Sequence, residues 1–315
     1  MDDNSGQDYP LSNRSGRAEY GLPFVSVIVP FFGADTEQLD RCINAILAQE
    51  YPRDRLEVIV VDNNVRPVLN DRYRSSATFL SVIHELQPGS YRARNRGISI
   101  ARGEVYAFTD SDCVPSKDWV LSGVRLLQET PNCGLVAGRV VLTFVNLNLP
   151  GLFEIYDLCI NLRQEEFVRE FHFGATANMI THSAVFEKVG RFNEEFLSGG
   201  DCEWGQRVWK MGYQQVFASD AVVYHPARST LTALCDKARR LAGQDFVRVR
   251  GRKAGRRHFL LAELWRTVRH ARIAWKRRRE FGCRRILQVI SVIGRVQAAK
   301  YSELVRLLRG GIPRR

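Results

Sequence analysis

A few side chains in this sequence could do ionic chemistry if the fold gathered them. Asp110 and Asp112 stand one residue apart in AFTDSDCVP (107–115), where an apolar run stops and a turn begins. A hard dication takes oxygen ligands, and carboxylates also offset its charge. With a nucleoside diphosphate as ligand, such an ion would bridge phosphates and carboxylates and stabilise the charge on a departing diphosphate. Asp and Ser also favour turns for local reasons, so a merely acidic turn competes with that reading. Asp62 closes LEVIVVD (56–62), where a carboxylate can bond a ribose or base edge, or simply cap the next turn. Asp201 follows two glycines in SGGDCEW (198–204). It could be an ordinary N-cap or a general base at a mobile entrance. His225 and His172 are lone histidines, for which a structural role is the default.

The elements around them must supply the geometry. FVSVIVPFF (24–32), LEVIVVD (56–62), SVIHEL (81–86), VYAFTD (105–110) and GLVAGRVVLTF (134–144) read as strands, the first two buried on both faces. Between them TEQLDRCINAILAQ (36–49), SYRARNRGISIAR (90–102) and SKDWVLSGVRLLQE (116–129) have helical spacing. Thr36 or Asp35 could cap the first, Ser90 opens the second, and Gly103 closes it. The alternation predicts a parallel, doubly wound sheet, with ligands outside the carboxyl ends of the strands. Pro30, Asp62 and Asp110 fall at such ends. The basic helix opening at Ser90 carries Arg92, Arg94 and Arg96, which oppose the helix dipole. A docked anion would relieve that conflict, whereas a solvated basic face would need none. Further on, a long amphipathic helix is expected over 152–171, shorter helices over 183–192 and 201–212, and one or two strands in QQVFASDAVVYHP (214–226).

Composition narrows the class. The 315 residues, 45% hydrophobic and 25% charged, are ordinary for a globular chain with a substantial core. Seven cysteines, odd in number and without a C-x-x-C pair, argue against a zinc ribbon or a disulfide framework and for a reducing compartment. The polar segment 1–22 has no apolar signal-peptide core and reads as a disordered lead. From Arg248 onward, 21 Lys and Arg face 3 Asp and Glu, against a net +12 for the whole chain. An acidic body thus carries a strongly basic tail, which suits an anionic partner.

In order, the marks are Pro30, Asp62, Arg94-Asn95-x-Gly97, Asp110-x-Asp112, Gly174-x-x-x-Asn178, Gly199-Gly200-Asp201 with Glu203 and Arg207, and His225. Over roughly residues 24 to 240 this resembles the inverting glycosyltransferases of family 2. That resemblance implies the GT-A fold, a doubly wound mixed α/β sheet with helices on both faces. It also implies roles. Pro30, Phe31 and Phe32 would line the nucleotide pocket, with Asp62 and Asn63 at the base or ribose and Arg94 and Asn95 near the nucleoside and its phosphates. Asp110 and Asp112 match the family's DxD, with Asp112 the more direct contact of Mg²⁺ or Mn²⁺. Asp110 would support it beside the ribose, and His225 would complete the ligands. Asp201 matches the catalytic base. The usual Glu before it is Gly200 here, which leaves Glu203 as a rival. The reaction implied is sugar transfer with inversion from a nucleoside-diphosphate sugar, expected to be UDP-linked, to a hydroxyl of a saccharide or lipid-linked acceptor. A non-catalytic scaffold on the same fold is an alternative, but it would have lost the acidic positions. A nucleotide-sugar pyrophosphorylase would need a Gly-rich basic loop where VPFFGADT stands.

The expected organisation is a lead over 1–22, a catalytic domain over 23–245 divided near residue 140, and a basic helical tail over 246–315. In the tail Leu261, Leu264, Val268, Ala271 and Trp275 share one helical face, as do Ile286, Val289, Ile290 and Ile293. The longest uncharged run there, Ile286–Gly294, is far short of the ~20 residues that span a bilayer. Apolar stripes beside dense Arg, with Trp265 and Trp275, read as interfacial helices. The chain is therefore expected in the cytoplasm, peripheral to the inner face of the membrane. The competing reading packs both stripes on the body or in a dimer contact, with the arginines solvated. No nucleic-acid motif accompanies the charge.

Overall fold

The computed structural model describes residues 21–69, 72–73, 79–146, 148–249 and 255–312, with side chains described outside 247–262. The expected lead lies almost wholly outside the described residues. The elements in chain order are β1 (Val25–Phe31), α1 (Thr36–Leu47), β2 (Leu56–Asp62), β3 (Leu80–His84), α2 (Ser90–Ile98), β4 (Val105–Thr109) and β5 (Val114–Pro115). Then come α3 (Trp119–Glu129), β6 (Cys133–Thr143), α4 (Leu152–Ile160), α5 (Gln164–Phe171), β7 (Asn178–His182), α6 (Ser183–Val189), α7 (Gly200–Lys210) and β8 (Gln214–Pro226). Four helices follow: α8 (Leu231–Val249), α9 (Gly255–Lys276), α10 (Arg278–Phe281) and α11 (Cys283–Leu308).

One eight-stranded sheet runs in the order β3-β2-β1-β4-β7-β6-β8-β5. The first four neighbours are parallel, as the strand–helix alternation predicts. Beyond β4 the sheet is mixed: β7 is antiparallel to both β4 and β6, β6 is parallel to β8, and β5 is antiparallel to β8. Strand β5, two residues long, has no apolar pattern of its own in the sequence and is defined by its partner.

The helices cover both faces. On one, Leu39, Ile43 and Ile46 of α1 and Trp119, Val124 and Leu127 of α3 pack on the β-branched side chains of β1 and β2. On the other, Phe186, Phe192 and Trp204 cluster around Phe108 and Met179. Each such large side chain taken out of water stabilises the fold by about 1.5–3 kcal/mol. Gly97 lets α2 lie close on the sheet, since a Cβ there would stand 2.6 Å from Ile28 Cγ2. Helix α1 is capped by Asp35, whose carboxylate accepts from the Gln38 amide. Gly89, with φ near 142°, rather than Ser90 caps α2.

The expected helix over 152–171 is broken in two. Leu162 takes a left-handed φ of 53°, and the Gln164 side chain is drawn in to bond Ala175 and Asn178. Asn178 itself is buried at the irregularity between β6 and β8. Its amide donates to the Arg139 and Ala221 carbonyls and accepts from the Trp119 indole. It thereby satisfies backbone groups the bulge leaves unpaired.

The tail divides between the two expectations. The stripe Ile286, Val289 and Ile293 of α11 is buried against α4 and α8, around Ile155, Tyr156 and Leu234. Helix α8 runs continuously through residue 245, where the sequence suggested a boundary. Buried Glu263 of α9 and Asp245 of α8 both pair with Lys300 of α11, locking the three helices together. On α9, by contrast, Leu264, Trp265, Val268 and Trp275 are exposed. Leu261 lies outside the described side chains. No helix among the described residues is long and apolar enough to cross a membrane.

Candidate active site

A cleft of about 690 Å³ opens where β1 and β4 part. Pro30 has no N–H to give to a neighbouring strand, and the β1–β4 ladder stops at Ile28, two residues before it. Pro30, Phe31 and Phe32 form one wall, with Phe32 61% exposed and able to meet a planar ligand. Asp110, Asp112, Tyr91, Arg94, Asp201 and His225 also face this space.

The carboxylates and the histidine converge through strand pairing. Val114 of β5 pairs with Tyr224 of β8, which carries the turn after β4 up to His225. Ligand atoms of Asp110, Asp112, Cys113 and His225 all lie within 4.8 Å of one another. His225 Nε2 is 3.9 Å from Asp112 Oδ1. His225 Nδ1 sits 2.7 Å from the Pro226 carbonyl, which can only accept, so the proton belongs on Nδ1 and Nε2 keeps its lone pair. Burial, and secondarily Asp110, push the Asp112 carboxyl up, against the opposing pull of His225 and Arg228. A bound dication would reverse that cost. The donor set of two carboxylates and an imidazole therefore fits Mg²⁺ or Mn²⁺. Cys113 is a poorer fourth: burial holds its thiol well above the usual range, and it only donates weakly to Asp112.

Arg94 is buried and ion-paired with Asp110. Its guanidinium also bonds the Ser90 carbonyl and lies 5.5 Å from the Tyr91 ring centre, while its Nε is buried without a partner. Asp110 thus already shares its charge, and Asp112 is the freer of the two for a metal. Arg92 pairs with Glu194. The protein's own carboxylates therefore meet both arginines at the start of α2, where an external anion was one expectation.

Asp201 stands in the first turn of α7. Its Oδ1 accepts from the Tyr91 hydroxyl at 3.0 Å and from the Cys202 amide at 2.8 Å. Among the described residues, Oδ2 takes a long 3.4 Å contact from the Thr176 amide, so it is the more open oxygen for a ligand. Glu203, the rival, is turned away. Both its oxygens are taken by Arg207, which also bonds the Val189 and Arg191 carbonyls.

Two expected nucleotide contacts sit elsewhere. Asp62 is 1% exposed, and its carboxylate accepts from the amides of Asn64, Val68 and Leu69 and from the Asn64 side chain. It organises the loop after β2, because buried backbone donors need partners. Asn95 is also buried, with its amide spent on both backbone groups of Phe192 and on Glu194. It clasps α2 to the segment leading to Asp201. Asn63 does reach the cleft wall, holding the Glu85 and Gln87 carbonyls and the Gly89 amide. His172 keeps the structural role expected of it, stacked on Trp209 at 4.1 Å.

Sequence reasoning missed Tyr91, Cys113 and the cleft-facing cations Arg228, Lys237 and Arg240. Tyr91 lies inside the basic helix 90–102, where the arginines draw the eye and a lone tyrosine carries no signal. The cations fall near the end of the expected catalytic domain, and nothing in their spacing marks them.

Comparison with known proteins shows the family and the fold. The profile of glycosyl transferase family 2 matches residues 26–190. Glycosyltransferase AglE of Haloferax volcanii is 36% identical over 248 residues, 78% of this chain and 80% of that protein. An N-acetylglucosaminyltransferase of Bradyrhizobium diazoefficiens is 26% identical over 66% of this chain, and probable glycosyltransferase YdaM of Bacillus subtilis is likewise 26% identical over 66%. The matches span only 46% and 52% of those two longer proteins. Among solved structures, the Pyrobaculum calidifontis mannosyltransferase PcManGT, in complex with GDP-Man and Mn²⁺, superposes with a TM-score of 0.62 at 19% identity. That match covers 92% of this chain and 88% of PcManGT. GalNAc-T7 with UDP, GalNAc and Mn²⁺ gives 0.51 at 17% identity, over 66% of this chain and 44% of that one. At such identities these two speak for the fold.

Proposed function

The chain belongs to glycosyltransferase family 2, and from that premise we propose that it moves a sugar, with inversion, from a nucleoside-diphosphate sugar to a hydroxyl of a saccharide or lipid-linked acceptor. The observation that carries this reading is the convergence of Asp110, Asp112, His225 and Asp201 on one cleft.

Pro30, Phe31 and Phe32 shape the wall for the donor's base, with Asn63 at its edge. Arg94 and Asp110 hold the rim beside the phosphates. Asp112 and His225 Nε2 would hold Mg²⁺ or Mn²⁺, with Asp110 in support. Such an ion, when bound, offsets the charge on the diphosphate leaving group. Tyr91 and the Cys202 amide fix the Asp201 carboxylate through Oδ1, so Oδ2 is presented to the acceptor. Oδ2 takes the proton of the acceptor hydroxyl as its oxygen bonds the anomeric carbon from the face opposite the departing diphosphate. An α-linked donor then gives a β-linked product.

The exposed apolar stripe of α9 extends the reading to a membrane surface. Leu264, Trp265, Val268 and Trp275 stand beside exposed Arg272 and Arg279. Tryptophan suits the headgroup level. Anionic lipid adds about 1 kcal/mol per nearby basic residue. This supports an acceptor presented at a membrane, as in polysaccharide or glycoconjugate assembly.

A thermal-shift screen of UDP- and GDP-sugars with Mn²⁺ tests the donor. A ligand that binds only the folded state raises the melting temperature by mass action. A UDP-sugar is the expected hit. No stabilisation by any nucleotide sugar would overturn the reading.

A further inference from the structure

The cleft has a second charged wall, separate from Arg94 and the candidate dication site. Arg228, Lys237 and Arg240 line it on the side of Asp201, carried by α8 and the segment just before it. Helix α8 is seated there by Gln244, which packs so closely on Gly199 that a Cβ at 199 would stand 2.0 Å from its side chain. Buried Asp157 is already spent on Arg228, accepting from its backbone amide at 2.9 Å and from its guanidinium at 3.3 Å. Lys237 and Arg240 make no hydrogen bond or ion pair with any described residue. Their neighbour Arg239, outside the cleft, pairs with Asp236 at 2.7 Å.

Crowding three half-buried cations on one wall costs free energy that Asp157, and the nearby Asp112 and Asp201 carboxylates, offset only in part. Burial and the charges of Arg228 and Arg240 push the Lys237 ammonium down to about 7, against the pull of Asp157 and Asp201. Neither the Lys237 nor the Arg240 side chain offsets that cost through a hydrogen bond or ion pair among the described residues. Two unpaired cationic donors beside a third that Asp157 holds in place are an arrangement that receives an anion. Arg94 and the dication site already stand on the donor's side.

We propose that Arg228, Lys237 and Arg240 form a phosphate-binding subsite beside Asp201, which grips a phosphoryl group of the acceptor while its hydroxyl meets the base. The assignment of the acceptor side rests on the function proposed above; the cation cluster itself does not. The shared chemistry is a phosphate monoester or diester, and its other possible source is the donor's own diphosphate.

Calorimetry on the full chain separates these. UDP or GDP with Mn²⁺ is titrated first, then inorganic phosphate at constant ionic strength, into both nucleotide-free and nucleotide-saturated protein. Phosphate should bind the saturated protein. Lys237→Gln and Arg240→Gln should each weaken that binding about tenfold or more, leaving nucleotide affinity within about twofold. Lys237→Arg should restore it, and Arg239→Gln, outside the cleft, should not disturb it. If instead the two variants weaken nucleotide about tenfold and phosphate competes with nucleotide, the subsite stands but the phosphate is the donor's. Phosphate and nucleotide binding that are indifferent to both variants, with unchanged melting temperatures, would overturn the subsite. Failure of the wild type to bind any nucleotide would sink the donor reading alone, since phosphate on the nucleotide-free protein still reports on the cluster.

Discussion

The Tyr91 hydroxyl donates to Asp201 Oδ1 across 3.0 Å, and it can do so because residue 200 is glycine. A Cβ at 200 would stand 2.8–3.0 Å from the Tyr91 ring. Burial first, and Asp201 second, hold the Tyr91 phenol well above its usual range, so it remains a donor. Where the family resemblance implies a Glu before Asp201, this chain has made room for a tyrosine that orients the Asp201 carboxylate from another helix.

Replacing Tyr91 by Phe should therefore lower kcat by about tenfold, with nucleotide affinity unchanged, as expected for one lost orienting hydrogen bond. Asp201→Asn should remove about 10²–10⁴ of the rate while the protein still binds donor nucleotide. A steady-state assay paired with nucleotide calorimetry reads both. Near-normal turnover of the Asn variant would rule Asp201 out as the base.

EDTA should quench transfer, and added Mn²⁺ or Mg²⁺ should restore it. Asp112→Ala should not be rescued at ordinary metal concentration, because it removes the freer carboxylate of the set. Activity that survives both treatments would refute the metal assignment.

Asn95→Ala tests a structural role against a nucleotide contact. Three hydrogen bonds are lost, the two to Phe192 buried, and both backbone groups of Phe192 are left without that partner. Denaturant melts should show a loss of about 1–3 kcal/mol or more. Nucleotide affinity of the folded protein should change little; a tenfold loss would return Asn95 to the nucleotide.

Acid should loosen the C-terminal helices through His270. Burial, then Arg266, Lys300 and other cations, push its imidazolium down to about 4 from an ordinary 6.5. The unfolded chain thus binds the extra proton over that window, so stability falls as pH drops from about 6.5 towards 4. His270→Asn should flatten that part of the melting-temperature profile. An unchanged profile would remove His270 as its cause.

Double substitution of Trp265 and Trp275 by Ala should abolish co-sedimentation with vesicles containing phosphatidylserine, without altering the melting temperature. Equal sedimentation of variant and wild type would retire the α9 surface as a membrane contact.

Much of the site was legible because its parts are local. Buried strands announce themselves by apolar β-branched runs, and strand ends fix where Pro30, Asp110 and Asp112 must emerge. The sequence could not decide between Asp201 and Glu203. They lie on one helix, and only the packing of Arg207 against the 189–191 turn turns Glu203 away. Nor could it tell that Asp62 and Asn95 spend their polar atoms on backbone, since that depends on loops folding back from residues 64–69 and 192–194. The two stripes of the tail look alike as periodicities. Whether a stripe is buried depends on what stands opposite, and α11 packs on α4 and α8 while Leu264, Trp265, Val268 and Trp275 of α9 stay largely exposed.

By itself, then, the sequence determined the kinds of atoms available and the strand ends that present them, because hydrophobic period and residue chemistry act over a few positions. The tertiary structure alone decided which atoms share a point. The antiparallel pairing of β5 with β8 brings His225 to Asp112, and the return of α8 brings Lys237 to Asp201. Those meetings join residues more than a hundred positions apart, or on opposite sides of a strand, and no local pattern encodes them.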